Sequence, residues 1–298
     1  MSKKTTPQAI NTSSWHRPPS PAGVDRRRIF KREKAIAAKA DAESEGMRIN
    51  KYLADNGYCS RRAADELIAS GKVLINQQIA CIGQKVGPGD TVTVEGRTFA
   101  LADEEKQPRT YIMLHKPVHV VSTASDPQGR QTVLDILPQA LRTGRIYPVG
   151  RLDYFSEGLV LLSDDGELAF RMTHPRWHIP RIYEVRIRGE VPESALRKMR
   201  AGMSLAEGEK LAPVEAEIQK NMPGATLLRL VLHQGVNRQI RRMCRDLGLT
   251  ILRLKRVQIG PLQLDDLPKG QARYLKPQEV DALHKAVGLV PPSPPTAA

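Results

Sequence analysis

The segment from Asn237 to Gly248, NRQIRRMCRDLG, leaves little choice of architecture for the part of the chain that carries it. At about 100° per residue, Ile240, Met243, Cys244 and Leu247 fall on one face of a helix. Arg238, Arg241, Arg242 and Arg245 repeat the same spacing on a stripe roughly 160° away. Such a helix must lay its apolar face on a core and hold its guanidiniums outward. Neighbouring runs supply the surface to pack on. TLLRLVLHQG reads as a strand, and in RIYEVRIRGEV Tyr183, Val185 and Ile187 alternate with Glu184, Arg186 and Arg188. The expected class is α+β, a sheet with flanking helices. Four like charges on one face disfavour an isolated helix by a few tenths of a kcal/mol per pair, roughly, and a polyphosphate would relieve that repulsion.

The chain as a whole points the same way. It has 298 residues, enough for about two domains, with 46 Lys plus Arg against 32 Asp plus Glu and a net charge of +14. A polyanion is the expected partner, nucleic acid first. A membrane surface competes, but no apolar run approaches the roughly 20 residues a spanning helix needs, and no lipidation signal is visible. The N-terminal stretch lacks an apolar core and is not a secretory signal. Asp25, Glu33, Asp41, Glu43 and Glu45 weigh against a transit peptide, so a cytoplasmic protein is expected. Cys59, Cys81 and Cys244 show no CxxC spacing, which supports neither a zinc site nor a disulfide framework. His174 and His178 have metal-ligand spacing, but Pro175 interrupts the helix face they would share. Neither a nucleotide-binding glycine pattern nor a G-x-S-x-G elbow is present.

Residues 1–46, with the basic cluster DRRRIFKREK, and residues 286–298 read as disordered tails. Residues 47–105 read as a small domain of two short helices followed by strands. In its second helix Ser60 is the expected N-cap and Gly71 the C′ residue, with Ala63, Ala64, Leu67 and Ile68 as the apolar stripe. Arg61 and Arg62 occupy the first turn, where the macrodipole favours acids. A phosphate would accept from both guanidiniums and from the free helix-end amides; two solvated surface arginines are the plainer reading. The pattern over 47–96 resembles the RNA-binding domain named after ribosomal protein S-four, and Arg48, Lys51 and Lys72 join Arg61 and Arg62 as its expected RNA contacts.

A larger domain is expected over 109–285. YIMLHKP reads as a strand, TVLDILP as a short helix, ELAFRM as a helix stopping before His174-Pro175, and PESALRKMRAG as a helix bracketed by Pro192 and Gly202. In PVGRLDYFSEGLVLLS two apolar segments are separated by Gly150, Arg151 and Asp153. A lone Asp after a strand is usually a turn residue. If the backbone is extended, however, Arg151 lies on the same side and favours the ionised carboxylate. An ionised carboxylate between strands suits work at a sugar's anomeric carbon. A glycosidase would need a second carboxylic acid nearby; Glu157, Asp164 and Asp165 are available, the last two in a Ser-Asp-Asp-Gly turn.

GRLDYFSEGLVLLSDDGELAFRMTHP, RIYEVRIRGEV and GVNRQIRRMCRDLGLTILRLKRVQIGPLQL, in this order, resemble the bacterial rRNA pseudouridine synthases. The resemblance is to the subgroup that joins the small-subunit enzymes with the B, E and F types acting on the large subunit. KPVHVVSTASDPQGRQTVLDILP and IYPVGRLDY are most similar to the B type. The resemblance covers about residues 47–285 and implies a mixed-sheet catalytic domain behind the small RNA-binding one. It makes Asp153 the essential carboxylate, Tyr183 the aromatic on the target uracil, and Arg241 the cation paired with Asp153, with Arg151 and Leu254 in support. Arg181, Asn237, Arg238, Arg242 and Arg245 are the expected RNA contacts of this domain. The implied substrate is ribosomal RNA, 23S before 16S, as free RNA or an assembly intermediate, bound by a monomer with no cofactor and no metal. Attack on the sugar, attack on the base and assistance to uracilate departure all remain open to the carboxylate. The chain departs from the pattern at Arg181, at Gln234 and Val236, and at Phe155, where a small or polar residue is usual. A catalytically silent RNA-binding factor on the same fold, or a glycoside hydrolase, are the competing functions.

Overall fold

A computed structural model describes residues 46–100, 109–142 and 144–290. The basic segment expected to be disordered over 1–46, Gly46 apart, most of the linker, and the chain beyond 290 lie outside the described residues.

The first unit opens with α1 (Ile49–Asp55) and α2 (Arg61–Ala69). The Ser60 hydroxyl accepts from the Ala63 amide at 3.0 Å, and Gly71 turns the chain at φ +71°, so α2 is capped as its sequence requires. Ala64 and Ile68 are buried against Ile49, Leu53, Val73, Val92 and Val94. Four strands follow: β1 (Val73–Ile75), β2 (Gln78–Ile79), β3 (Thr91–Val94) and β4 (Arg97–Ala100). They pair antiparallel in the order β2-β1-β3-β4.

The second unit is one twisted layer with helices on it. Its elements are β5 (Tyr111–Lys116), β6 (Glu157–Ser163), α3 (Gly166–Thr173), β7 (Arg181–Arg188), α4 (Glu193–Ala201), β8 (Glu215–Met222) and β9 (Ala225–Leu232). They are followed by α5 (Gln239–Asp246), β10 (Ile251–Ile259), β11 (Ala272–Tyr274) and α6 (Pro277–Ala286). The sheet order is β8-β9-β7-β10-β6-β5-β11. Every neighbouring pair in that order is antiparallel except β10 and β6, which run parallel.

β5 and β6 read as unbroken apolar runs because they are covered on both faces. Met113, Leu159 and Leu161 pack with Leu168 of α3 and Leu283 of α6, while Ile112, Leu114, Val160 and Leu162 pack with Val120, Val133 and Leu152. β7 alternates instead, and its Val185 and Ile187 meet Leu196 of α4 and Ile240, Met243 and Cys244 of α5. At the parallel seam Gly158 lies opposite Arg256 with φ +116°. A Cβ there would stand 2.1 Å from the Arg256 carbonyl oxygen, so only glycine fits.

Three expectations change. TVLDILP is not a helix: the Asp135 carboxylate accepts from the Thr132 amide and hydroxyl at 2.8 Å each, closing a side-chain turn that replaces helical bonding. Arg238 is not on the α5 face either; it is the N-cap in the left-handed region, φ 50°, and the helix starts one residue later. The ordered chain also runs past the boundary expected at 285. Val287 is buried, and Arg171 donates to the Val287 and Gly288 carbonyls at 3.1 and 2.9 Å.

The two units touch through Lys51, whose ammonium lies 3.6 Å from Glu167, and through Arg109, which donates to the Asp55 carbonyl at 3.4 Å. No helix among the described residues is long and apolar enough to cross a membrane.

Candidate active site

The loop from Gly150 to Ser156 leads into β6 at the parallel seam, and a cleft of about 230 Å³ opens there. Gly150 takes φ +79°, which bends the chain after Val149. Leu152 is buried, anchored by its amide and carbonyl to the Ser122 hydroxyl at 3.1 and 2.9 Å, so the next residue, Asp153, is held at a fixed point of the cleft wall.

Arg241 reaches Asp153 from α5. Its Nε lies 3.7 Å from a carboxylate oxygen, while its Nη2 donates to the Phe155 carbonyl at 2.8 Å and the Ser156 hydroxyl at 3.0 Å. The guanidinium is therefore fixed by the loop, and its contact with the carboxylate is coulombic rather than a hydrogen bond. Burial pushes the Arg241 guanidinium below its usual pKa and the Asp153 charge opposes that shift. Among the described residues the Asp153 carboxylate pairs only with Arg241, at a distance too long for a hydrogen bond.

Arg151 lines the same cleft as Asp153 but is not its ion-pair partner. Its side chain is exposed and, among the described residues, forms no ion pair with Asp153. Tyr183, on β7, lines the cleft beside Leu254 of β10, which is buried and forms part of the floor. Arg181 also lines it, donating to the Met172 carbonyl at 3.1 Å, and Asn237 and Arg238 form the rim before α5.

The other expected RNA contacts separate into free and engaged. Arg61 and Arg62 are exposed and, among the described residues, make no ion pair. Arg48 is exposed on a two-residue strand paired with Lys85–Val86. Lys51 bridges the units, and Lys72 lies 2.9 Å from Glu95. Arg242 is held by Glu209 at 2.7 Å and Glu207 at 3.2 Å, and Arg245 by Glu207 and Asp246, both at 2.7 Å.

Sequence reasoning missed three groups. Arg256 is buried in β10, lines the cleft, and donates through Nε to the Leu159 carbonyl at 2.9 Å. Ser156 is the buried hydroxyl beneath Arg241. Lys116 is fully buried at the end of β5, donating to the Pro117 and Val120 carbonyls at 2.8 Å each. Burial and then Arg256 push its ammonium down to about 8, against the pull of Asp153. A lysine closing an apolar run before proline, and an arginine inside an alternating strand, were the available signals. Of the carboxylates weighed as a second acid, Glu157 is buried and paired with both Arg253 and Lys269. Burial alone would raise its pKa, but those hydrogen bonds together hold it below the usual range. Asp165 caps α3, accepting from the Glu167 and Leu168 amides, and Asp164 accepts from the Thr110 amide at 2.8 Å.

Comparison with known proteins places both units of the chain in known families. Residues 110–246 match the family model described as RNA pseudouridylate synthase, and residues 47–92 match the S4 domain. The chain is similar to ribosomal large subunit pseudouridine synthase B of Bacillus subtilis, 40% identical over 242 residues that cover 79% of this chain and 95% of the relative. It is 38% identical to the protein of the same name from Pseudomonas aeruginosa, over 83% of this chain and 64% of that one. A solved structure described as a pseudouridylate synthase superposes with a TM-score of 0.56 at 28% identity, covering 80% of this chain and 99% of its own.

Proposed function

This chain belongs to the RNA pseudouridine synthase family, and from that premise we propose that it isomerises a uridine of large-subunit, 23S ribosomal RNA with Asp153 as the reacting carboxylate. The reaction breaks the bond from ribose C1′ to uracil N1, turns the base, and joins C5 to C1′. C5 loses a proton and N1 gains one, so nothing is added overall and water must be kept out.

The observation that carries the reading is the charge pattern of the cleft. Asp153 is the only carboxylate among the described residues that line it, against Arg151, Arg181, Arg238, Arg241 and Arg256. A glycoside hydrolase needs a second carboxyl group to protonate a leaving group or activate water, and the lining offers none. A silent RNA binder needs the arginines but not a carboxylate set among them. The target uridine leaves its stack to reach Asp153. Tyr183 packs on the uracil and serves the proton step at the base, Leu254 floors the pocket, and Arg241 keeps the carboxylate in place. The free cations Arg61 and Arg62 hold the RNA at a distance from the chemistry. The names of the relatives favour the large subunit over 16S RNA. The cleft is lined by one chain, in keeping with a monomer, and a ribosomal RNA substrate is in keeping with the cytoplasm.

Asp153→Asn tests the assignment. With 23S transcript tritiated at uridine C5, tritium release is expected to fall by about a thousandfold or more, while RNA affinity in filter binding stays within about twofold. Retained activity would remove Asp153 from the chemistry. Mapping pseudouridines in rRNA of a deletion strain against its parent names the nucleotide; a loss in 16S RNA instead would move the substrate to the small subunit.

A further inference from the structure

Beside the cleft, but not lining it, three rings meet on the surface. The centroid of Tyr154 lies 5.0 Å from Phe155 and 5.3 Å from His119, and His119 lies 5.6 Å from Phe155. Phe155 stands edge-on to both neighbours, with interplanar angles of 83° and 89°, and is 56% exposed. Val118 and His119 beside it are exposed as well. In a chain with 4% aromatic residues, core packing does not account for a phenylalanine in this position.

The backbone under the rings is fixed from several sides. His119 takes φ +66°, a left-handed conformation that non-glycine residues adopt rarely and that marks a constrained position. Its amide donates to the Tyr154 carbonyl at 2.7 Å, and the buried Lys116 ammonium ties down the carbonyls of Pro117 and Val120 on either side. Arg241, the partner of Asp153, holds the Phe155 carbonyl. The ring cluster is thus preorganised, and it is joined to the reacting carboxylate through one loop and one guanidinium.

We propose that His119, Tyr154 and Phe155 form a stacking platform for the unpaired nucleobase that flanks the target uridine, with Phe155 as its contact face. An aromatic face takes up an unstacked base without reading its edges. A strand whose uridine is drawn into the cleft leaves its neighbour unstacked at the cleft mouth, where the rings lie. This rests on the uridine isomerisation proposed above for the same cleft, and the strongly basic chain favours an RNA occupant over an apolar peptide.

Steady-state kinetics on the tritiated 23S transcript supply the first test. Phe155→Leu keeps the bulk and removes the π-face; it is expected to raise KM about tenfold with kcat within about twofold, and Phe155→Trp to restore KM. An unchanged KM in Phe155→Leu, or a fall in kcat alone, overturns the platform. The second test needs no turnover. An oligouridine dodecamer carrying one 2-aminopurine should lose fluorescence on binding wild type and Phe155→Trp, and keep it on Phe155→Leu. Equal quenching by wild type and Phe155→Leu, or none by wild type, overturns the platform. If wild type quenches but forms no pseudouridine in any rRNA, the isomerase reading falls and the base-stacking site stands.

Discussion

Arg61 and Arg62 open α2 with exposed guanidiniums that, among the described residues, have no ion-pair partner, whereas Arg242 and Arg245 on α5 are clamped by Glu207, Glu209 and Asp246. In sequence the two regions look alike, each an arginine pair on a short helix. The difference comes from the loop between α4 and β8, which folds two carboxylates over α5 from more than thirty residues away. That loop turns an apparent polyanion-binding stripe into a structural clamp and leaves Arg241, on the same helix, as the one that faces the cleft. A row of like charges on a helix therefore identifies a phosphate site only once the acids that the fold brings to it are known. For α2 no acid among the described residues forms an ion pair with either guanidinium, though Asp55 lies near enough to feel Arg61, and the Arg61 and Arg62 amides remain alongside the guanidiniums while Ser60 caps that of Ala63.

The sharpest way to break this comparison is at α5 itself. Arg241→Ala should lower turnover by about a hundredfold or more, since a positioned charge beside the reacting group is removed, and leave RNA affinity within about twofold. An affinity loss of the same size would make Arg241 a phosphate contact like those of α2. Next in size is Arg61→Glu with Arg62→Glu, expected to weaken RNA binding roughly tenfold and make the plot of log affinity against log salt shallower by about 1.5. Single-turnover rates at saturating enzyme should not change; an unaltered salt slope would take α2 out of the interface. The smallest effect is expected from Glu207→Gln with Glu209→Gln, which releases Arg242 and leaves Arg245 held by Asp246 alone. RNA affinity should rise by roughly a few-fold at low salt and the gain should vanish at high salt. No gain would mean that these guanidiniums stay on the protein surface even when unclamped.

Much of the architecture was legible because period and punctuation are local properties. The alternation in RIYEVRIRGEV, the Ser60 and Gly71 ends of α2, and the apolar face of α5 all follow from side-chain geometry along one element, and the structure reproduces them. Errors arose where a side-chain turn or a helix end overrode the period. Thr132 and Asp135 close a turn in place of a helix, and Arg238 adopts a left-handed cap instead of joining the stripe. The site was partly legible for the same reason. A charge break between apolar runs draws the eye to Asp153, which by itself reads as a turn residue and takes its role from the family resemblance; that Arg241 rather than Arg151 pairs with it depends on the fold.

By itself the sequence determined most of the elements, the basic balance and the family resemblance that names the carboxylate, because these depend on residue type and order along the chain. Only the tertiary structure decided which charges meet. Arg241 and Asp153, Glu157 with Arg253 and Lys269, and α5 with its acidic clamp are each joined across tens of residues. Coulombic partners and burial act through space, and one-dimensional order does not record those distances until β6 and β10 pair at the parallel seam and close the cleft.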